Sequence, residues 1–247
     1  MIEFVKCYHS ENEDVSHLRI LLQGPVGAGK SSFINSVESV VCGRISGQVM
    51  TDAASGTSFT KRFKTCKISK YERGNEKCSF VFNDIMGFEG NNGGIHVEDV
   101  KLILNGHVEE GYEFKPGRPL KMGEAGYDCS PSLSKRTHVL VNVIPAASVS
   151  LSSEDVLKKM RDVRLEASKL VDEACPEVKK DIKNIYKSIC LKEQVVKIHQ
   201  KLGIPLNCIF LVQNYFSSVE TSNDINVQIM SAMQQMINFG EDFVTNQ

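Results

Sequence analysis

No sign of charge dominates this chain. Across 247 residues, 29 Lys and Arg meet 30 Asp and Glu, for a net charge of −1. That balance provides no electrostatic footprint for a nucleic acid. No apolar run approaches the roughly 20 residues that a membrane span needs, so no membrane partner is expected. The eight cysteines, Cys7, Cys42, Cys66, Cys78, Cys129, Cys175, Cys190 and Cys208, include no CxxC pair. Without a paired Cys/His knuckle, zinc is not expected. Their scatter through apparent strands and helices is unlike the framework of a small secreted domain, and points to buried thiols in a reducing cytosol. The opening Met1-Ile2-Glu3-Phe4-Val5-Lys6 does not read as a secretory signal. Position 2 lacks the glycine that myristoylation uses, and Val244-Thr245-Asn246-Gln247 forms no prenylation box. A cytoplasmic location is the resulting expectation.

What is present reads as one large domain. Hydrophobic residues at 41% and charged residues at 24% are ordinary for a globular chain. Residues 1–16 are polar and read as a loose lead-in, with the domain proper at 17–247. Strands are expected at 17–23, 62–70, 78–84, 137–144 and 207–212. Helices are expected at 30–42, 97–104, 153–170, 177–202 and 224–239, the last with Ile225, Ile229, Met233, Met236 and Ile237 at three- and four-residue steps. Residues 72–76 join the second and third strands as a hairpin. Strands alternating with helices imply a mostly parallel sheet covered on both faces.

The chemistry starts at Gly24-Pro25-Val26-Gly27-Ala28-Gly29-Lys30-Ser31, which fits G-x-x-x-x-G-K-[ST]. Gly24, Gly27, Ala28 and Gly29 let backbone N–H groups approach phosphates, and the following helix aims its positive end at the same place through Ser31 and Ser32. Lys30 would reach the β- and γ-phosphates, and the Ser31 hydroxyl would bind magnesium. An apolar strand before the motif and a helix after it are the context that distinguishes it from a chance glycine-rich turn. Ser79-Phe80-Val81-Phe82-Asn83-Asp84-Ile85-Met86-Gly87 adds an aspartate at a strand's carboxyl end and a glycine three residues on. Asp84 can approach magnesium, and Gly87 can offer its N–H to the γ-phosphate. Of Thr51, Thr57 and Thr60 between the two motifs, Thr57 is the choice for a residue that closes over the metal.

Together these pieces resemble a Ras-type GTPase module, which implies a three-layer P-loop NTPase fold. More narrowly, the chain resembles the interferon-induced protein 44 and 44-like family in a shorter form. The resemblance is carried by the phosphate motif, Asp84-Ile85-Met86-Gly87, Ile103-Leu104-Asn105-Gly106, Ser130-Pro131-Ser132-Leu133, His138, Asn214-Tyr215 and Ser231-Ala232. It spans most of residues 17–243, and it implies an interferon-inducible, cytoplasmic, GTP- or GDP-binding protein of antiviral defence. Longer members carry a further N-terminal domain, for which Gly24 leaves no room.

The chain departs from the GTPase pattern at the base. Guanine is usually read by [NT]-K-x-D at a strand end, and that strand is missing between 137–144 and 207–212. Where it belongs, Ala167-Ser168-Lys169-Leu170-Val171-Asp172-Glu173 reads as a helix tail. About five strands are therefore expected, one fewer than usual. Asp172 and Asn214 are the base-binding candidates that the resemblance supplies. No catalytic residue is assigned: Phe88 and Glu89 follow Gly87 where a water-holding Gln often stands. The expected function is a guanine-nucleotide switch with magnesium, with slow or no hydrolysis and an unidentified protein partner, a homodimer among the options. The alternative is a non-enzymatic interaction protein on a degenerate GTPase fold.

Overall fold

A computed structural model describes residues 1–47, 49, 61–71, 75–90, 93–146, 153–171, 189–215 and 218–247. Its centre is β1 (Leu18–Gln23), in which every residue except Arg19 is buried. Leu18, Ile20 and Leu22 enter one apolar cluster and Leu21 the other, so both faces of β1 are covered. β1 runs parallel to β3 (Lys77–Asp84) and to β4 (Val139–Asn142), in registers that pair Leu22 with Asp84 and with Val141. β2 (Lys64–Ser69) is antiparallel to β3, and the sheet order is β2-β3-β1-β4. β2 buries Cys66 and Ile68 and exposes Lys64 and Lys67, an alternation that suits an edge.

Helices cover both faces. α1 (Ile2–Cys7), α2 (Lys30–Cys42) and α6 (Asn223–Thr245) pack on the face of Ile20 and Phe82. α3 (Val97–Leu104), α4 (Glu154–Val171) and α5 (Ile189–Leu202) pack on the face of Leu21. The outcome is a three-layer α/β arrangement with a mostly parallel sheet. α6 reaches β1 because Gly240 has no side chain: a Cβ there would stand 2.6 Å from Leu18 Cδ2. Burial pushes the Cys66 and Cys78 thiols up to about 12.

Two expectations need correction. Residues 1–16 are not a loose lead-in. Val5, Tyr8 and Val15 belong to the core, and Glu241 of α6 accepts hydrogen bonds from the Tyr8 hydroxyl and, at 2.6 Å, from Glu11 N. Their spacing is too short for a periodic signal to emerge. The sheet has four strands among the described residues, not five. The missing one is at 207–212, where a single 3₁₀ turn (Leu206–Cys208) precedes backbone without a ladder partner. Apolar β-branched composition supplies a strand only when a neighbour supplies hydrogen bonds. Of the second long helix, residues 177–188 lie outside the described residues.

His138 ties β4 to β1 and to the preceding loop. Arg19 N donates to its Nδ1 at 2.9 Å, and its Nε2 donates to Leu133 O at 3.0 Å, so the ring is neutral. Burial lowers its pKa to about 4. Because the folded value lies below the unfolded one, this stability is complete above pH 6.5 and is lost as pH falls through 4. We expect wild type to lose up to about 3 kcal/mol over that interval relative to His138→Gln. Thermal melts of both proteins against pH check it, and parallel curves would refute it.

Candidate functional site

The carboxyl ends of β1, β3 and β4 lie level, and all three feed one region. Gln23 Nε2 donates to Asn142 Oδ1 at 2.8 Å, closing β1 against β4. The chain then turns through residues 24–29 into α2. Two glycines make the turn possible by bulk alone. A Cβ on Gly24 would stand 2.1 Å from Val143 O, and one on Gly87 would stand 2.6 Å from Val26 N. The close approach lets Phe88 N donate to Gly24 O at 3.0 Å and Val26 N to Phe88 O at 3.2 Å. The β1–β3 pairing thus continues past the strands and locks the two motifs together. Gly29 caps α2 at φ 91°, a left-handed value that favours glycine.

α2 has no acidic residue in its first turn and no side-chain cap. Its first helical bond runs from Phe33 N to Gly29 O at 2.8 Å, so the N–H groups of Lys30, Ser31 and Ser32 precede the ladder. That end attracts anions. The Lys30 side chain folds back over the turn and donates to Gly24 O at 3.2 Å and Pro25 O at 3.0 Å. Burial pulls its pKa down to about 8, against a smaller upward pull from Asp84. Ser31 Oγ donates to Asp84 Oδ2 at 2.8 Å. A hydroxyl and a carboxylate facing one another are hard oxygen donors of the kind that suits magnesium when phosphates supply the rest. The residues therefore fit that ion.

The structure brings Gly24, Gly27, Ala28, Gly29, Lys30, Ser31, Ser32, Asp84 and Gly87 to one place. Asn214 is there too: its Nδ2 donates to Gly29 O at 3.2 Å, while Tyr215 N donates to Ser36 Oγ at 2.9 Å. Thr57 and Asp172 lie outside the described residues. Phe88 is 1% exposed, a core side chain in the position after Gly87. Its apolar character was legible in the sequence. Its backbone bonds to the phosphate turn were not, because no side-chain pattern encodes them. The Glu89 carbonyl accepts from Lys159 Nζ at 2.7 Å.

The chain is 32% identical to human interferon-induced protein 44-like over 252 residues, which cover 97% of this chain and 55% of that protein. It is 30% identical to chimpanzee interferon-induced protein 44 over 254 residues, 99% of this chain and 57% of the relative, with the same figures for the human protein. The chain belongs to the interferon-induced protein 44 and 44-like family. It spans little more than half the length of these relatives. The 254 aligned positions exceed the chain's 247 residues, so the interferon-induced protein 44 relatives carry at least seven residues without a counterpart here. No family model and no solved structure matches. Among the described residues, no helix is long and apolar enough to cross a membrane.

Lys30 is held against its own stability. Its folded pKa of about 8 lies below the unfolded 10.5, so the folded state is penalised below pH 8 and the penalty fades as pH rises to 10.5. Lys30→Met should raise stability at pH 7 by about 1–3 kcal/mol without ligand. Denaturant melts at pH 7 and pH 10 test this, and a variant less stable at pH 7 would refute it.

Proposed function

We propose that the chain binds a nucleoside triphosphate with magnesium through the turn at residues 24–31. The observation that carries this is the meeting of Lys30 Nζ, Ser31 Oγ and Asp84 at the positive end of α2, with the Ser31–Asp84 hydrogen bond at 2.8 Å. Phosphate oxygens would take the N–H groups of Gly27, Ala28, Gly29, Lys30, Ser31 and Ser32, and Gly87 would meet the γ-phosphate. Magnesium would replace the Ser31–Asp84 proton contact, bonding both oxygens and neutralising phosphate charge. In the Ras-like reading of the fold, Thr57 would join it. The family resemblance favours GTP or GDP, acting as a switch in a cytoplasmic, interferon-induced defence protein.

Hydrolysis is slow or absent in this reading. Phe88 is buried and cannot hold a water. Selectivity for guanine is weak in this reading: Asn214 lies close to the turn, and the sequence before Asp172, which lies outside the described residues, carries no strand signal. Phosphate and magnesium contacts are common to every nucleoside triphosphate. A second reading, an interaction protein on this scaffold, draws on the open side of the sheet beyond β4.

Titration calorimetry with GTP, ATP and GDP, with and without magnesium, tests the proposal. GTP and ATP should bind within about tenfold of each other, since a base reader's charged hydrogen bonds would separate them by more. Lys30→Ala should abolish binding, and Ser31→Ala should weaken the magnesium-dependent part most. Equal affinity of wild type and Lys30→Ala would overturn the site. A strong GTP preference lost in Asp172→Ala would overturn the weak-selectivity claim.

A further inference from the structure

The sheet stops at β4, yet the protein continues beyond it. Across a gap from β4 run residues 209–212, and between them lies a cavity of about 860 Å³. Its lining is apolar: Val139 and Val141 on one side, Ile209 and Leu211 on the other, with Ala167 of α4 and Ile198 of α5 among the rest. Among the described residues β4 pairs only with β1, and none of their strands lies beside its outer edge. Among the described residues, no hydrogen bond reaches the N–H and C=O groups of residues 210–212. Two strand-like edges therefore face one cavity, and each presents main-chain donors and acceptors that a completed sheet would pair.

Side chains repeat the pattern. Arg164 Nε, Gln194 Oε1 and Asn214 Oδ1 are buried without a hydrogen-bond partner, and all three residues line this cavity. One lone donor and two lone acceptors in an apolar slot call for an occupant carrying both kinds of group. A hydrocarbon chain has neither. An extended polypeptide has both, repeated along its length at about 3.3 Å per residue.

We propose that this slot accepts an extended apolar segment of a partner protein, which enters as a strand between β4 and residues 209–212 and completes the sheet. The chemistry of the occupant follows from the walls. Arg164 is the one fully charged side chain among them, so the segment is uncharged at its centre and rich in Val, Ile and Leu. Four to six residues match the length of β4. A second copy of this chain is a poor occupant, because its own edge strand β2 would carry exposed Lys64 and Lys67 into an apolar slot. The inference does not depend on nucleotide binding.

The probe is a fluorescein-labelled eight-residue peptide with Val-Ile-Leu-Val at its centre and Ser and Thr at its ends, titrated against the full chain by anisotropy without nucleotide. A twin with alternate amides N-methylated keeps the apolar side chains but loses the edge donors. The peptide should bind, and the twin should bind at least about tenfold more weakly. Ala167→Trp fills the slot and should abolish binding while raising the melting temperature. Leu211→Pro removes an unpaired donor and should weaken binding at least about fivefold. Circular dichroism and melting curves of the same variants report whether they fold. Equal binding by peptide and twin would overturn the proposal in favour of a pocket for apolar molecules. A concentration-dependent dimer that competes with the peptide would assign the slot to a second copy. Absence of peptide binding to a folded wild type would overturn it outright.

Discussion

Everything at the candidate site depends on two hydrogen bonds beyond the end of the sheet. Phe88 N to Gly24 O and Val26 N to Phe88 O resume the parallel pairing of β1 and β3 as a bridge between Pro25 and Phe88, beyond the last ladder pair of Leu22 and Asp84. They fix the distance between the turn that leads to Lys30 and the segment that leads from Asp84 to Gly87. Glycine is required at both places: a Cβ on Gly87 would collide with Val26 N of the turn, and one on Gly24 with Val143 O beyond β4. The site is thus less a loop than an extension of the strands. The buried Phe88 ring anchors it from below. One residue therefore supplies main-chain register above and packing beneath, and leaves no side chain for chemistry.

The sequence made this arrangement legible to different depths. Element type was clear wherever one chain segment carries its own signal: α2 and α3 lie at the expected residues, since helical periodicity is local. β1 and β3 were clear because buried strands read as apolar runs ending in glycine or aspartate. Residues 207–212 failed for the opposite reason. Their composition is right for a strand, but pairing is a property of two segments, and the second is absent. α1 is too short to show a period, and its place in the core depends on Glu241 at the other end of the numbering. At the site, the identities of Lys30, Ser31 and Asp84 could be read directly. The contact of Asn214 with Gly29 O could not, because the two residues are 185 positions apart and nothing local links them.

The open side of the sheet and the buried lysine have a common origin. A stable domain ordinarily pairs its strand edges and keeps its ammonium groups in water. This chain does neither, and both departures sit on the same flank of β1, within reach of Asn214. The apolar clusters on the two faces are otherwise continuous, so the cost is borne by a well-covered scaffold. Local rules are broken where a binding event could restore them, and are kept elsewhere.

The clasp between Tyr8 and Glu241 has a bearing on how the protein is made. Its two ends are separated by 233 residues, and α6 supplies the cover for one face of β1. During synthesis, β1 leaves the ribosome long before the helix that shields it. α1 and α2 can cover part of that face early, but Leu18, against which Gly240 of α6 packs, waits for its full cover until almost the whole domain has emerged. A sheet whose central strand is among the first parts made and among the last to be covered gives chaperones a long interval in which to act.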